Sequence, residues 1–370
     1  MAVGQGALEG LEVSCFSGVY AGRKVLLTGH TGFKGSWLAM WLKDLGAEVV
    51  GLSLPPDTKP SHWDLLKLDI EEHLVDVRDY AHVQKIVDQI KPEIVFHLAA
   101  QALVRRSYDH PLTTWSTNIQ GTAHVLEACR HSASVKALVT VTTDKCYENQ
   151  EWIWGYREND RLGGHDPYSA SKAGAELVAA SYRRSYFGNA NSPLLATARA
   201  GNVFGGGDWS KDRLIPDLVR ASARGQSVEI RSPNAIRPWQ HVLESLSGSL
   251  LLGQRLLERQ PNFAEAWNFG PDEIGNQTVS AVLSKLTQNW GALRWHLAKA
   301  TQPYESSLLQ LDSSKARVFL QWLPVWGLDE GLRQTANWYR TYGEKGEVIS
   351  LQQLADYVAA AKEKNLSWTI

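Results

Sequence analysis

Cysteine is scarce in this chain: Cys15, Cys129 and Cys146 are the only three among 370 residues, far apart and never in a C-x-x-C pair. That spacing argues against a disulfide framework and a thiolate zinc site. No metal is expected, and a reducing compartment, with a cytoplasmic location as the default, follows. An excess of charge of either sign is missing as well. With 38 Lys+Arg against 39 Asp+Glu the net charge is -1, so no global field draws the chain to nucleic acid or to an anionic membrane. Any anionic ligand must then be held by locally placed groups. No apolar run approaches the roughly 18 to 20 residues of a membrane span. Residues 1–18 lack the basic start and long apolar stretch of a signal peptide, and residues 1–20 read as a poorly ordered N-terminal extension. Internal repeats and low-complexity stretches are absent too. What remains, 44% apolar and 21% charged, is an ordinary globular composition with length for one large or two modest cores. The 15 tryptophans are assigned mainly to packing.

The first positive signal is Lys24-Val-Leu-Leu-Thr28, a β-prone run, followed by Gly29-His-Thr-Gly32-Phe-Lys-Gly35. Trp37, Leu38, Trp41, Leu42 and Leu45 then recur at helical spacing, so the order is strand, glycine turn, helix. Gly46 closes the helix, and Glu48-Val-Val-Gly-Leu-Ser-Leu54 is a second strand stopped by Pro55-Pro56. The unit is βαβ, with parallel strands and a right-handed crossover. Strand-like runs recur at 93–99, 137–142 and 193–199, separated by helical stretches such as 80–90 and 122–131. Alternation over nearly 200 residues predicts an α/β fold, a doubly wound parallel (Rossmann) sheet over residues 21–200. After residue 200 the rhythm changes to glycine-rich loops and Pro-flanked turns. Residues 201–370 are read as mainly a smaller α/β substrate-binding lobe over the sheet's carboxyl edge, with some segments returning to the Rossmann domain.

Gly29, Gly32 and Gly35 meet the demands of a dinucleotide turn: a tight bend, close backbone approach and bare helix N-terminal amides for a pyrophosphate. The acidic residue that would grip the ribose at the end of the second strand is absent. Leu52, Ser53 and Leu54 stand there, and Asp57 is a weak substitute, so charge alone leaves NAD and NADP open. Lys34 and Arg105 are candidate phosphate contacts. Tyr168-Ser-Ala-Ser-Lys172 puts a phenol and an ammonium on one helical face. Thr142-Thr-Asp-Lys145 ends a strand about 25 residues earlier, and Asn118 lies further upstream. Together they could build a proton relay at the sheet edge. A tyrosine with a pKa near 10 needs roughly 4 kcal/mol of preferential phenolate stabilisation to act as a base at neutral pH, for which an ammonium and a positive nicotinamide ring are plausible sources.

With these residues in place, the chain resembles the extended short-chain dehydrogenase/reductases, the NAD-dependent epimerase/dehydratase family, and within them the CDP-D-glucose 4,6-dehydratase branch. The likeness runs over about residues 23–342. It rests on Gly29-His-Thr-Gly-Phe-Lys-Gly-Ser-Trp37, His97-Leu-Ala-Ala-Gln101, Thr143-Asp-Lys-Cys-Tyr147, Gly164-His-Asp-Pro-Tyr168 and Ile236-Arg-Pro-Trp-Gln-His-Val242. The branch assignment depends on Asp144-Lys145, where other sugar-nucleotide 4,6-dehydratases carry Asp-Glu.

The resemblance implies oxidation of the sugar at C4 by bound NAD, loss of water across C5 and C6, and return of the hydride to C6. Tyr168 would take the C4 hydroxyl proton, Lys172 would lower its pKa and hold the nicotinamide ribose, Thr143 would bond the same hydroxyl, and Asn118 would support the relay. Asp144 would protonate the departing C6 oxygen. Lys145 stands where relatives have a carboxylate base. Either it takes the C5 proton as a neutral amine, or it stays charged and stabilises the enolate, or it serves only as a structural partner of Asp144. The cofactor set implied is Gly29, Thr31, Gly32, Phe33, Lys34, Gly35, Asp76, Val77, Leu98, Ala99 and Ala100, with Tyr168 and Lys172. The substrate set is Gln101, Asn202, Arg213, Arg231 and Arg237, the arginines offering forks that match phosphate oxygens. His97 is expected as a satisfied histidine beneath the cofactor, His165 as a turn residue, and Cys146 as a buried filler. A homodimer is expected through helical faces near 122–131 and 173–185, with a tetramer open. Another nucleotide-sugar 4,6-dehydratase or a 4-epimerase is the competing enzymatic reading, although an epimerase has no use for the Asp144-Lys145 pair at C5. A non-catalytic dinucleotide-binding protein is the remote one.

Overall fold

The computed structural model describes residues 15–298 and 307–370. Its centre is a sheet of seven parallel strands, labelled β1 (Lys24–Thr28), β2 (Glu48–Ser53), β3 (Glu71–Leu74), β4 (Ile94–His97), β5 (Ala137–Val141), β6 (Leu194–Ala200) and β7 (Ala266–Phe269). The spatial order is β7-β6-β5-β4-β1-β2-β3. The winding therefore reverses between β1 and β4, and the crevice at their carboxyl ends is where open α/β sheets bind ligands. Strands β1, β4, β5 and β6 are almost wholly buried, as their apolar sequences require of a sheet covered on both faces.

The longer helices that matter here are α1 (Phe33–Asp44), α2 (Tyr80–Ile90), α3 (Gly121–Arg130), α4 (Pro167–Ser185), α5 (Leu214–Ser222), α6 (Val242–Leu257), α7 (Leu328–Lys345) and α8 (Ser350–Glu363). On one face α2, α3 and α4 pack Val83, Ile86, Val125, Leu126 and Ala179 against Leu26, Val95 and Leu138. On the other face α1, α6 and α8 bring Trp37, Trp41, Leu246, Leu250 and Tyr357 together with Val25, Phe96 and Val139. In the region read from sequence as the smaller lobe, a separate cluster is built from Ile215, Leu218, Trp239, Leu283, Leu332 and Trp338. Beyond residue 201, β7 is the edge strand of the seven-stranded sheet, and α6 and α8 pack in the core on one of its faces.

Residues 1–14 lie outside the described residues. Residues 15–20 depart from the expected loose extension. Phe16 is fully buried, stacks on Trp368 with ring centroids 5.1 Å apart and meets Trp41 edge-on. Tyr20, also buried, donates its hydroxyl hydrogen to the main-chain oxygen of Leu250 at 2.5 Å. These anchors join the two ends of the described chain in one aromatic cluster. Trp368 lies 352 positions from Phe16 and Leu250 lies 230 from Tyr20, so no local periodicity announces these contacts. Trp209 packs against Trp338, Tyr339 and Tyr342, and Trp239 is buried in the lobe core. Among the described residues no helix is long and apolar enough to cross a membrane, and no group of three or more His, Cys, Asp or Glu is placed to hold a metal.

Candidate active site

The glycine turn sits between β1 and α1. Gly29 has φ +77°, a conformation that L side chains rarely adopt, and a Cβ there would come within 2.6 Å of the Ala99 amide nitrogen. A Cβ on Gly35 would lie 2.0 Å from the Gly29 carbonyl oxygen. Gly32 caps α1 without a side-chain hydrogen bond, which leaves the first amides of the helix for an anion. Both features fit a dinucleotide pyrophosphate. Thr31 braces the turn against the end of β2: its hydroxyl donates to the Leu54 carbonyl at 2.8 Å and pairs with Ser53 Oγ at 2.8 Å. The β2 position at which an acidic residue would contact ribose is thus a serine already engaged with Thr31. Asp57 is exposed and paired with Arg106 at 3.0 Å.

The floor of the site is β4 and its exit. Thr28 Oγ1 accepts from the amides of Leu98 and Ala99, each at 3.2 Å, and bonds His97 Nδ1 at 2.7 Å. His97 Nε2 meets Thr122 Oγ1 at 3.1 Å. Burial pushes His97 down to about 3, with Lys172 adding to the effect, so the ring is neutral and satisfied, as expected. Leu98, Ala99 and Ala100 are half-buried along the strand exit, and Phe33 and Lys34 are half-buried at the start of α1. Val77 is buried and packs against Gly121, where a Cβ would meet its side chain at 2.7 Å. Asp76, past the end of β3, accepts from both the amide and the guanidinium of Arg78.

Asp166 starts α4 by accepting from the Ser169 amide at 2.9 Å, with Pro167 in the first turn. Tyr168 and Lys172, four apart, consequently point the same way, and both are buried. Lys172 Nζ donates to the Val141 carbonyl at 3.2 Å, at the end of β5. Burial lowers its pKa to about 8, against the opposing pull of Glu176 and Cys146. The Tyr168 phenol is pushed up to about 12 by burial, while its bond to the Thr143 hydroxyl and the charge of Arg213 act in the opposite direction. Thr143 begins a one-turn helix, Asp144–Cys146, by accepting from the Lys145 amide at 3.3 Å, and its hydroxyl donates to Asp144 Oδ1 at 3.0 Å. Asp144 is 1% exposed, and its Oδ2 has no partner among the described residues. Gly201 makes room for that oxygen: a Cβ there would stand 3.1 Å from it and 2.5 Å from the Pro238 ring. Lys145 is half-buried, and Cys146 is fully buried, its thiol pushed up by burial.

Asn118 lies on a π-helical turn, Ser116–Gln120, a local widening that often marks functional positions. Its amide is fully committed. Oδ1 accepts from the Gln101 amide at 2.8 Å, and Nδ2 donates to the Gln101 carbonyl at 3.0 Å and to Ser171 Oγ at 2.8 Å. It therefore splices the exit of β4 to the helix that carries Tyr168. The Gln101 side chain is taken up by Leu103 and Thr114. Arg213 reaches the same centre from the lobe, held by Asp208 at 3.0 Å. Lys34 comes from the opposite side, its pKa lowered to about 7 by burial and by the charges of Arg213 and Lys172. Arg237 is buried and donates to the Ile236 carbonyl at 2.8 Å, Arg231 is exposed just past the short strand Val228–Ile230, and Asn202 is half-buried, its carbonyl accepting from Gln240 at 3.1 Å. Arg105 is paired with Asp212 of the lobe at 3.0 Å. His165 is exposed in the bend before α4. Electrostatics and hydrogen bonds thus draw Lys34, Thr143, Asp144, Tyr168, Lys172 and Arg213 into one centre. Glu176 and Arg199, which border it from below, were not singled out from sequence. A helical i+4 step from Lys172 was the only available signal for Glu176.

Comparison with known proteins agrees with this geometry. A family model described as GDP-mannose 4,6 dehydratase matches residues 26–335. A CDP-glucose 4,6-dehydratase of Salmonella typhimurium is 47% identical over 350 residues, covering 92% of this chain and 98% of that protein. A dTDP-glucose 4,6-dehydratase of the same organism is 26% identical over 346 residues, covering 85% and 92%. Among solved structures, a dTDP-glucose 4,6-dehydratase from Streptomyces venezuelae with NAD bound superposes with a TM-score of 0.73 at 25% identity, covering 86% of this chain and 97% of that one.

Proposed function

The chain belongs to the GDP-mannose 4,6 dehydratase family, and from that membership we propose that it is an NAD-dependent CDP-D-glucose 4,6-dehydratase, a hydro-lyase that yields CDP-4-dehydro-6-deoxy-D-glucose and water. The choice of cytidine rests on the 47% identity to the Salmonella CDP-glucose enzyme against 26% to its dTDP-glucose counterpart. The observation that carries the reaction type is the buried Asp144 with an unengaged Oδ2, beside the Tyr168–Thr143 pair. Interconversion at C4 needs only the tyrosine pair, whereas departure of a C6 hydroxyl needs an acid.

NAD, when bound, would supply the reversible hydride acceptor that oxidation at C4 and reduction at C6 require. Gly29, Gly32 and Gly35 would hold its pyrophosphate at the start of α1, with Lys34 as a phosphate contact. Tyr168 accepts the C4 hydroxyl proton, and Thr143 bonds the same oxygen. Lys172 would hold the nicotinamide ribose and, as an ammonium, favours the phenolate; it and the cofactor's positive ring would have to offset the burial that holds the phenol near 12. The C4 ketone acidifies the C5 proton, which lets water leave across C5 and C6. Asp144 donates its proton to the departing C6 oxygen. Lys145 acts directly in the elimination, as the base at C5 or as the cation that stabilises the enolate. Asn118 keeps the floor of the site and α4 in register. Arg213, Arg231 and Arg237 take the substrate pyrophosphate. A homodimer through α3 and α4 belongs to the same reading, and Leu177 of α4 is exposed for it.

The test is incubation of the purified protein with trace NAD and CDP-glucose, in parallel with the dTDP, UDP and GDP sugars, followed by mass spectrometry. Loss of one water from CDP-glucose alone, without net NADH, is expected. An unchanged mass with a new sugar configuration would move the assignment to an epimerase. No turnover of any sugar would move it to a binding protein.

A further inference from the structure

One buried ion pair ties down both flanks of the Thr143-Asp144-Lys145 segment. Glu176 lies one helical turn beyond Lys172 on α4, and Arg199 lies on β6; they pair at 2.8 Å with side chains 3% and 4% exposed. On the N-terminal flank, Thr142 Oγ1 donates to Glu176 Oε1 at 2.5 Å. On the C-terminal flank, Arg199 Nη1 donates to the Tyr147 hydroxyl oxygen at 2.8 Å, and the guanidinium lies over the Tyr147 ring at 5.1 Å. The Tyr147 hydroxyl in turn donates to Asn268 Oδ1 at 2.7 Å. Thr197 adds a third donor to the Glu176 carboxylate at 2.8 Å. Burial works against the ionised form of Glu176, yet Arg199 and the threonine donors hold its pKa below the usual carboxylate range.

Two desolvated charges are an inefficient way to stabilise a fold, since apolar side chains of the same shape often do as well. What this pair does that apolar side chains could not is fix directions. Its carboxylate is carried by the helix that presents Tyr168 and Lys172, and its hydrogen bonds end on the residues bracketing Asp144 and Lys145. We propose that Glu176 and Arg199 are positioning residues that hold the proton-transfer groups of the elimination in register with the tyrosine pair that serves C4. Water is then lost before the C4 ketone can escape. This rests on the dehydratase reading above.

The ties can be cut singly with little change of shape, by Thr142→Val and Tyr147→Phe. Each variant is mixed with NAD and CDP-glucose alongside the unaltered protein, and four quantities are followed: reduced nicotinamide by absorbance, dehydrated product by mass, solvent deuterium at C5, and the unfolding midpoint. The expected result is accumulation of reduced nicotinamide in the variants and not in the unaltered protein. Dehydration and C5 exchange should fall roughly 10- to 100-fold, as expected for small misplacements of reacting groups, with oxidation at C4 much less affected. Thr142→Ser, which keeps the hydroxyl, should restore dehydration. Oxidation and elimination falling together, neither falling, or loss of the fold in both variants would overturn the proposal, because the ties would then serve only the scaffold. If the unaltered protein fails to dehydrate CDP-glucose, the underlying reading fails and this inference with it.

Discussion

Thr143 donates its hydroxyl hydrogen to Oδ1 of the neighbouring Asp144 at 3.0 Å, and the other carboxyl oxygen of that buried aspartate has no protein partner among the described residues. A buried polar atom without a partner is costly to a fold, and at a reaction centre it is what a group waiting for a substrate oxygen looks like.

Replacing Asp144 by Asn keeps shape and volume and removes the proton. Dehydration should fall by about 10² to 10⁴, while C4 oxidation survives, so reduced nicotinamide builds up on mixing with substrate. Loss of both steps to the same degree in stopped-flow absorbance would take Asp144 out of its acid role.

Lys145→Met should abolish exchange of the C5 hydrogen with solvent, measured by deuterium incorporation, and leave the first burst of reduced nicotinamide intact. Unchanged exchange would reduce Lys145 to a structural partner of Asp144.

Lys172 combines function with a cost to the free protein. Burial brings its pKa in the folded protein to about 8 from an ordinary lysine value of 10.5, so between those values the unfolded chain binds the extra proton. The penalty is complete below pH 8, shrinks as pH rises, and vanishes above 10.5. Lys172→Met should therefore stabilise the free protein near neutrality by about 1 to 3 kcal/mol, with the gain disappearing at high pH, while ending turnover. Denaturant unfolding at several pH values reads this directly, and a destabilised variant at pH 7 would contradict it.

Phe16→Ala removes a ring stacked on Trp368 and in edge contact with Trp41 and Tyr20. A loss of about 3 to 5 kcal/mol in unfolding free energy is expected. A loss under about 1 kcal/mol would mean that residues 15–20 are a loose extension after all.

The sequence made the catalytic strands and helices legible because their signals are local. Lys24–Thr28 stands where its β-prone run ends at Gly29, and Tyr80–Ile90 follows a plain 3.6-residue stripe over Val83, Ile86, Val87 and Ile90. Glu71–Leu74 gives no signal, since an exposed edge strand reading Glu-Glu-His-Leu has no alternation and a single apolar residue. Ala266–Phe269 was missed for a different reason: four residues far down the chain pair with β6 only in three dimensions. The site divides in the same way. Tyr168, Lys172 and the glycines carry spacing that can be read, whereas Glu176 and Arg199 gain meaning only when α4 packs on β6. Asn118 and Gln101, expected at the relay and the substrate, spend their side-chain amides on each other's neighbourhood, a commitment that no pattern in the chain reveals.

The central claim is that one hydrogen travels from C4 to C6 of the same sugar. CDP-glucose carrying deuterium at C4 tests it: after turnover with unlabelled NAD, the product should carry that deuterium at C6, with no label in the recovered cofactor or in water. Deuterium found at C4 of an isomerised sugar, in free reduced nicotinamide, or in solvent would contradict the account.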